Sequence, residues 1–141
     1  MSRQHIEDLF NRREHYMSAH DLSGFSTLFA EDAVVETPTA GGAVQGRKAI
    51  EDVTRAWFIG FPDVVFATDR IIIDGDDVVW LGEVRGTDSG GFLGLPPTGK
   101  PFSLPMVILC VVKDGLIIRE RRIYDFTGLL VQIGLLKAKP V

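Results

Sequence analysis

The sequence predicts a single α+β domain, because helical and strand patterns occupy different parts of the chain. Apolar residues recur every three or four positions before Val64, and β-branched runs separated by short turns follow it. The 141 residues, 45% of them hydrophobic and 24% charged, suit one core and one domain over residues 1–141. We therefore expect a cone-shaped fold, in which a curved antiparallel sheet wraps around three N-terminal helices and a short C-terminal helix follows.

The first helix carries an arginine in its apolar face. Apolar residues recur at helical spacing around it, and the stripe consists of Ile6, Leu9, Phe10, Arg13 and Met17. An arginine aimed inward needs an anion or a hydrogen-bonding partner. The alternative is that only its stem is buried, while the guanidinium reaches past the edge of the stripe into water.

Local signals define the remaining elements. A second, short helix is predicted at residues 21–29, a strand at 33–37, a loop rich in Pro and Gly at 38–46 and a third helix at 47–59. Further strands are predicted at 64–73, 78–86, 102–112 and 116–124, and the last helix at 128–136.

Composition argues against several classes of partner. The net charge of −4 and the scattered Arg and Lys residues leave no basic patch for nucleic acid or an anionic membrane surface. The N-terminus is charged and the apolar runs are too short to span a membrane, which predicts a cytoplasmic protein. Cys110 is the single cysteine, so no internal disulfide is expected. His5, His15 and His20 lack metal-ligand spacing and no nucleotide-binding motif occurs, so neither a metal nor a cofactor is expected.

A curved sheet over a helical layer is expected to leave an apolar pocket at the wide end of the cone, suited to a small hydrophobic molecule. Its wall is expected among large apolar residues of both layers, namely Met17, Trp57, Phe58, Phe92, Met106, Ile108 and Ile123. Residues of this kind belong to a closed core more often than they contact a ligand. The Gly-rich loop at residues 90–99 could cover the pocket mouth, or it could be an ordinary connection fixed by its two prolines.

Asp125 lies at the junction between the last strand and the last helix. Because Ile123 and Asp125 are two residues apart, they share a strand face, and the Asp125 side chain is expected to point into the apolar space that the strand covers. Burial would raise the pKa of this carboxylate and make it a candidate general base. The alternative is that Asp125 is the N-cap of the last helix.

Several motifs resemble the SnoaL-like polyketide cyclase family of the nuclear transport factor 2-like superfamily. They are Phe61-Pro62-Asp63, GTDSGGFLGLPPTGK at residues 86–100, Lys113-Asp114-Gly115 and D-x-x-x-L-L-x-Q-x-G at residues 125–134. The resemblance covers nearly the whole chain and implies the cone-shaped fold. It also implies that Asp125 occupies the position of the aspartate that serves as acid/base in an intramolecular aldol ring closure without metal or cofactor.

The resemblance therefore implies a lyase or isomerase type of enzyme that acts on a hydrophobic carbonyl compound. Asp125 would be the base and Arg13 a charge partner, while Tyr16 would add a polar group to the substrate site. The superfamily also forms homodimers, which implies a second subunit on the outer face of the sheet.

This chain departs from related patterns at three points. Family members often carry a histidine where Asp88 stands, and Thr37 occupies the place of the aspartate base of the ketosteroid isomerases. Limonene epoxide hydrolases use an aspartate, arginine, aspartate arrangement, of which Arg13 and Asp125 offer only part. An epoxide hydrolase and a non-catalytic binding or dimerisation domain are the alternatives, since a fold alone does not determine a function.

Overall fold

The computed structural model describes residues 2–138 of the chain. In order, these residues form α1 (Arg3–Ser18), α2 (Leu22–Ser26), β1 (Phe29–Thr37), β2 (Gly42–Gln45), α3 (Arg47–Gly60), β3 (Val65–Asp74), β4 (Asp77–Thr87), β5 (Pro101–Lys113), β6 (Leu116–Tyr124) and α4 (Phe126–Gln132). Single turns of 3-10 helix occur at Pro38–Ala40 and Phe92–Gly94. Three helices at the N-terminus, a curved sheet and a short C-terminal helix confirm the predicted α+β fold.

The six strands form one sheet in the order β2-β1-β6-β5-β4-β3. Neighbouring strands are antiparallel, except for β1 and β6, which run parallel. The last strand of the chain therefore lies inside the sheet, between the first strand and the fifth. Its inward side chains face the helical layer and not an open edge.

A β-bulge decides which residues of β6 point inward. Between Ile117 and Arg119 the pairing with β5 slips by one residue. Ile117 is buried before the bulge, and Glu120 and Arg122 are buried after it. Because side chains alternate along a strand, one extra residue moves the even-numbered positions to the inner face.

The predicted loop at residues 38–46 contains a strand, so that prediction is wrong. Pro38–Ala40 forms one turn, Gly41 adopts a left-handed φ of 66°, and Val44 then pairs with Val35 on β1. Proline and glycine indicate the turn in the sequence, but they conceal the short strand that follows it.

The last helix lies earlier in the chain than predicted, at Phe126–Gln132 in place of 128–136. Asp125 caps its first turn, and Gly134 ends it with a φ of 81°, the left-handed conformation that commonly follows a helix C-terminus.

Trp57 of α3 is the centre of the aromatic core. Its ring lies 5.2 Å from that of Tyr124, 5.5 Å from Phe92 and 5.7 Å from Phe61, between centroids. The apolar stripe of α1 is buried as predicted, and Arg13 is buried with it, at 5% exposure. Arg13 therefore lies inside the protein and does not reach past the edge of the stripe.

Candidate functional site

Three polar residues of β6 point at the helical layer. Glu120, Arg122 and Tyr124 occupy alternate positions, whereas Arg121 and Ile123 between them are exposed. Glu120 is completely buried and Arg122 is 7% exposed. The inner face of the sheet thus carries charged groups in the middle of an otherwise apolar interior.

Glu120 is shared by two buried arginines. Arg13 Nη2 donates to Glu120 Oε1 over 3.0 Å, and Arg122 Nε donates to Glu120 Oε2 over 2.7 Å. Arg122 Nη2 also donates to Thr54 Oγ1 over 3.0 Å, and the Cys110 thiol donates to Glu120 Oε1 over 3.5 Å. We call these five residues the interior cluster. It joins helices α1 and α3 to strands β5 and β6.

The cluster sets the protonation of its own members. Burial alone would raise the pKa of Glu120, but the charges of Arg13 and Arg122 and their hydrogen bonds outweigh it and lower that pKa. Burial and the negative charge of Glu120 both raise the pKa of the Cys110 thiol. Glu120 is therefore an ionised counter-ion and a weak base, and Cys110 is a neutral donor.

Arg13 has a hydrogen-bond donor, Nε, without an acceptor in the part of the chain that the structure describes. Its Nε is buried and has no hydrogen-bond partner among the described residues. The two guanidinium groups of the cluster face a single carboxylate, so one positive charge is not compensated. An arginine side chain does not lose its proton in proteins, so this charge cannot be removed by a pKa shift.

Two small cavities lie on either side of Arg13, each of about 10 Å³. The one towards β6 is lined by Arg13, Met17, Thr54, Trp57, Phe66, Met106, Ile108 and Arg122. The one towards β4 is lined by Phe10, Arg13, Glu14, Met17, Phe66, Thr68 and Trp80. Each is about large enough for one water molecule, roughly 10–15 Å³. Among the described residues, these two small spaces lie beside Arg13 where the sequence predicted an open apolar pocket.

Four of the predicted wall residues line the cavity beside the interior cluster. Met17, Trp57, Met106 and Ile108 are all buried there, together with Arg13. These positions come from helices α1 and α3 and from strand β5, so the sequence identified both layers of the interior.

The other predicted wall residues lie elsewhere. Phe92 is completely buried but stacks on Phe61, with centroids 4.6 Å apart. Phe58 is half-buried and stacks on His20 over 4.2 Å. Tyr16 is half-buried beside Gly24 of α2. None of these three lines a cavity next to Arg13.

Ile123 faces outward, so its predicted place on the inner wall is wrong. Its side chain is 45% exposed, because the bulge in β6 turns the odd-numbered residues to the outer face. Asp125, two residues later, is exposed as well. The expectation that its carboxylate points into apolar space is wrong for the same reason.

Asp125 is the N-cap of α4. Its Oδ1 accepts a hydrogen bond from the amide of Gly128 over 2.8 Å, which is the capping alternative raised by the sequence. Its role as a base stays a prediction.

Asp88 fixes the Gly-rich loop that precedes β5. The residue is completely buried. Its carboxylate accepts from the amide of Gly91 over 3.2 Å and from the amide and hydroxyl of Thr98 over 3.2 and 3.1 Å. The loop is thus anchored from within. In the sequence this role is visible only as an acid flanked by small residues.

The middle of the outer face of the sheet carries a patch of apolar residues. Its partly exposed residues include Ile72, Val79, Leu81, Val107, Leu109 and Ile123. Beside them, Glu36 accepts from Arg119 over 2.6 Å and from Arg121 over 2.8 Å. Two open depressions, of about 290 and 350 Å³, both include Arg121 in their lining.

Two classes of feature are missing from residues 2–138. No helix in this range combines the length and the apolar character needed to cross a membrane. The same residues contain no group of three or more His, Cys, Asp or Glu side chains placed to hold a metal ion.

Several solved structures share this fold. AclR of Streptomyces galilaeus, a candidate hydroxylase, is 24% identical at a TM-score of 0.84, and the match covers 99% of this chain and 87% of that one. TsrD of Streptomyces laurentii is 21% identical at a TM-score of 0.83, over 96% of this chain and 99% of that one. At these identities the likeness shows the fold alone.

Two matches go further than the fold. IdmH of Streptomyces antibioticus, a candidate polyketide cyclase, is 31% identical at a TM-score of 0.77, and the match covers 91% of this chain and 97% of that one. The family model of the SnoaL-like polyketide cyclases matches residues 7–133. No curated protein matches the chain. With a family match over most of its length, this chain belongs to the SnoaL-like polyketide cyclase family.

Proposed function

We propose that this protein is a cofactor-independent enzyme of the cyclase type, which binds a hydrophobic carbonyl compound inside the cone and acts on it by proton abstraction. The observation that carries the proposal is the interior cluster. Two arginines and a carboxylate are costly to bury among apolar side chains, and Arg13 keeps a donor free beside a cavity. A group that binds at this point would find a positive charge and apolar walls together.

The chemistry follows from that arrangement. Removing a proton next to a carbonyl group leaves negative charge on the carbonyl oxygen. Fixed donors and positive charges in a water-poor site stabilise such an oxyanion, and Arg13 and Arg122 supply both. Burial raises the pKa of Tyr124, and this effect is larger than the lowering by the nearby Thr37 hydroxyl and by the charge of Arg122. Its hydroxyl therefore stays protonated and could return a proton to the product.

The base is proposed to be Asp125, on the strength of the family resemblance. The Asp125 carboxylate now accepts a hydrogen bond from the amide of Gly128. To meet a substrate inside the cone, it has to give up this hydrogen bond. Asparagine caps a helix about as well as aspartate but cannot accept a proton from carbon. Asp125→Asn should therefore abolish turnover of a polyketide-like ester while the protein still folds and binds it.

A thermal-shift screen with hydrophobic ketones and polyketide-like esters tests the binding part of the proposal. Ligands that bind only the folded protein raise its Tm by mass action. Ile108→Phe adds volume to the cavity wall and should remove the shift, whereas Val107→Phe, the next residue and outward-facing, should keep it. If no compound shifts the wild type, or if both variants behave alike, the interior is not the binding site. A binder without turnover would favour the non-catalytic alternative.

We also propose that the outer sheet face joins two copies of the chain. The partly exposed apolar residues described above, next to the pairs that Glu36 forms with Arg119 and Arg121, support this assignment. Light scattering should then give twice the chain mass of 15.5 kDa. Leu109→Asp should yield a monomer, and Ile59→Asp, a substitution at a 57% exposed position on α3, should leave the mass unchanged. A monomeric wild type would refute the proposal.

A further inference from the structure

We infer that the interior cluster is an anion site, which holds the carboxylate of a hydrophobic monocarboxylic ligand against Arg13 and leaves the charge of Arg122 for the oxyanion of the proposed reaction. The inference rests on the proposed binding of a small molecule inside the cone and specifies the chemical class of that molecule. It starts from the charge left over in the cluster.

Within residues 2–138, no acidic group other than Glu120 pairs with either guanidinium of the cluster. Glu120 is the single ion-pair partner of both Arg13 and Arg122 among the described residues. Thr54 accepts from Arg122 but is neutral, and its own hydroxyl donates to the carbonyl of Ile50 over 2.7 Å. A buried charge without a counter-ion is unfavourable, so an anion that reaches the cluster gains a favourable partner.

The free donor of Arg13 is held in a fixed orientation. Arg13 is tied to Glu120 through Nη2, and its guanidinium carbon lies 5.2 Å from the centre of the Phe25 ring, where a cation–π contact orients the plane. Nε remains buried and without an acceptor. A carboxylate is a good acceptor for a guanidinium, because its oxygens match the fork of N–H donors.

The space around this donor is apolar, which selects the rest of the ligand. Met17 and Phe66 line both cavities and separate them. Each space holds about one water molecule, so a larger ligand can bind only if Met17, which is flexible, changes rotamer and the walls around Arg13 move apart. The ligand is thus a carboxylate with a short apolar tail.

The joined cavity would open between α1 and β3. At its outer end Trp80 Nε1 donates to Thr68 Oγ1 over 2.9 Å, and Thr68 Oγ1 donates to Glu14 Oε1 over 3.1 Å. Glu14 is exposed and next to Arg13 in the chain. This chain of hydrogen bonds marks where the interior meets solvent.

The test compares hexanoate with its neutral analogues hexanamide and methyl hexanoate, by calorimetric titration and thermal shift on the full chain. Hexanoate should bind about 10- to 100-fold more tightly than either analogue, the ratio expected for a charge-assisted hydrogen bond. Equal binding of the neutral analogues would overturn the anion site while leaving the proposed function intact. If none of the three compounds binds, both the anion site and the proposed binding of a small molecule inside the cone are refuted.

Two variants locate the site. Arg13→Met should weaken hexanoate binding by about tenfold or more, whereas Arg12→Met, an exposed arginine on the same helix, should leave it unchanged. Equal losses of hexanoate affinity in the two variants would mean that the net charge of the protein attracts the anion, and this result would overturn the proposed site. Should Arg13→Met fail to fold, Glu120→Gln provides the second measurement. It removes the competing carboxylate, so hexanoate should bind it more tightly than it binds the wild type, and weaker binding would contradict the inference.

Discussion

Replacing Glu120 with glutamine removes the carboxylate that both buried arginines share. Glutamine has nearly the same shape, so the change tests charge and not packing. Arg13 and Arg122 would each lose a charge-assisted hydrogen bond, of 3.0 and 2.7 Å, and two positive charges would face each other without a counter-ion. Removing one partner of a buried ion pair costs about 3–5 kcal/mol.

That loss is a large part of the stability of a domain, which is typically about 5–15 kcal/mol. Urea unfolding followed by the fluorescence of Trp57 and Trp80 should show the midpoint falling by about 2 M, at a typical slope of about 2 kcal/mol per molar urea. The slope itself should not change, because the folded and unfolded states stay equally compact.

Glu36 offers a matched control on the other side of the sheet. It also accepts from two arginines, Arg119 and Arg121, but these are 56% and 53% exposed. Water and salt can replace those partners, so Glu36→Gln should shift the midpoint far less. A Glu120→Gln protein as stable as the wild type, or equal shifts in the two variants, would refute the view that the interior cluster is held by one shared carboxylate.

Three further predictions concern pH, the Gly-rich loop and the last helix. The arginines lower the pKa of Glu120, so the ionised carboxylate should stabilise the folded protein fully above the usual glutamate pKa of about 4.3 and less as the pH falls below it. The urea midpoints of wild type and Glu120→Gln should therefore converge only in that acid range. Convergence near neutral pH would contradict this. Asp88→Ala leaves the buried amide of Gly91 and two donors of Thr98 without an acceptor. This change should lower the free energy of unfolding, measured in urea, by at least about 2 kcal/mol and should make residues 88–100 sensitive to limited proteolysis. Ser89→Ala, at an exposed position, should have neither effect. Asp125→Ala should lower the free energy of unfolding by about 0.5–2 kcal/mol through loss of the cap on α4, and Asp125→Asn should leave it nearly unchanged; equal losses would argue against capping.

The sequence predicted the fold well because its patterns are long and local. The stripe of α1 and the runs of β-branched residues indicate the elements directly, and the position of Arg13 in the stripe already required an inward partner. That partner, Glu120, is 107 residues away along the chain, and no local pattern links the two.

The error at Ile123 and Asp125 has one cause. Alternation along a strand defines two sets of residues but not which set faces inward, and the apolar Ile123 made the odd-numbered set look buried. The bulge before Arg119 reverses the choice, and it depends on pairing with β5, which local sequence does not reveal. The same reversal brings Glu120 and Arg122 inward, so the error about the direction of the Asp125 side chain and the missed interior cluster have the same cause.

The position of β6 between β1 and β5 also constrains how the chain can fold during its synthesis. Phe29 pairs with Ile117, so the first strand waits for a partner that is synthesised after the other strands of the sheet. Until then both β1 and β5 present unpaired edges, which are prone to join other chains. A nascent chain stalled before Leu116 should therefore aggregate or recruit chaperones, and the addition of residues 116–124 should be the step that commits the domain to its native state.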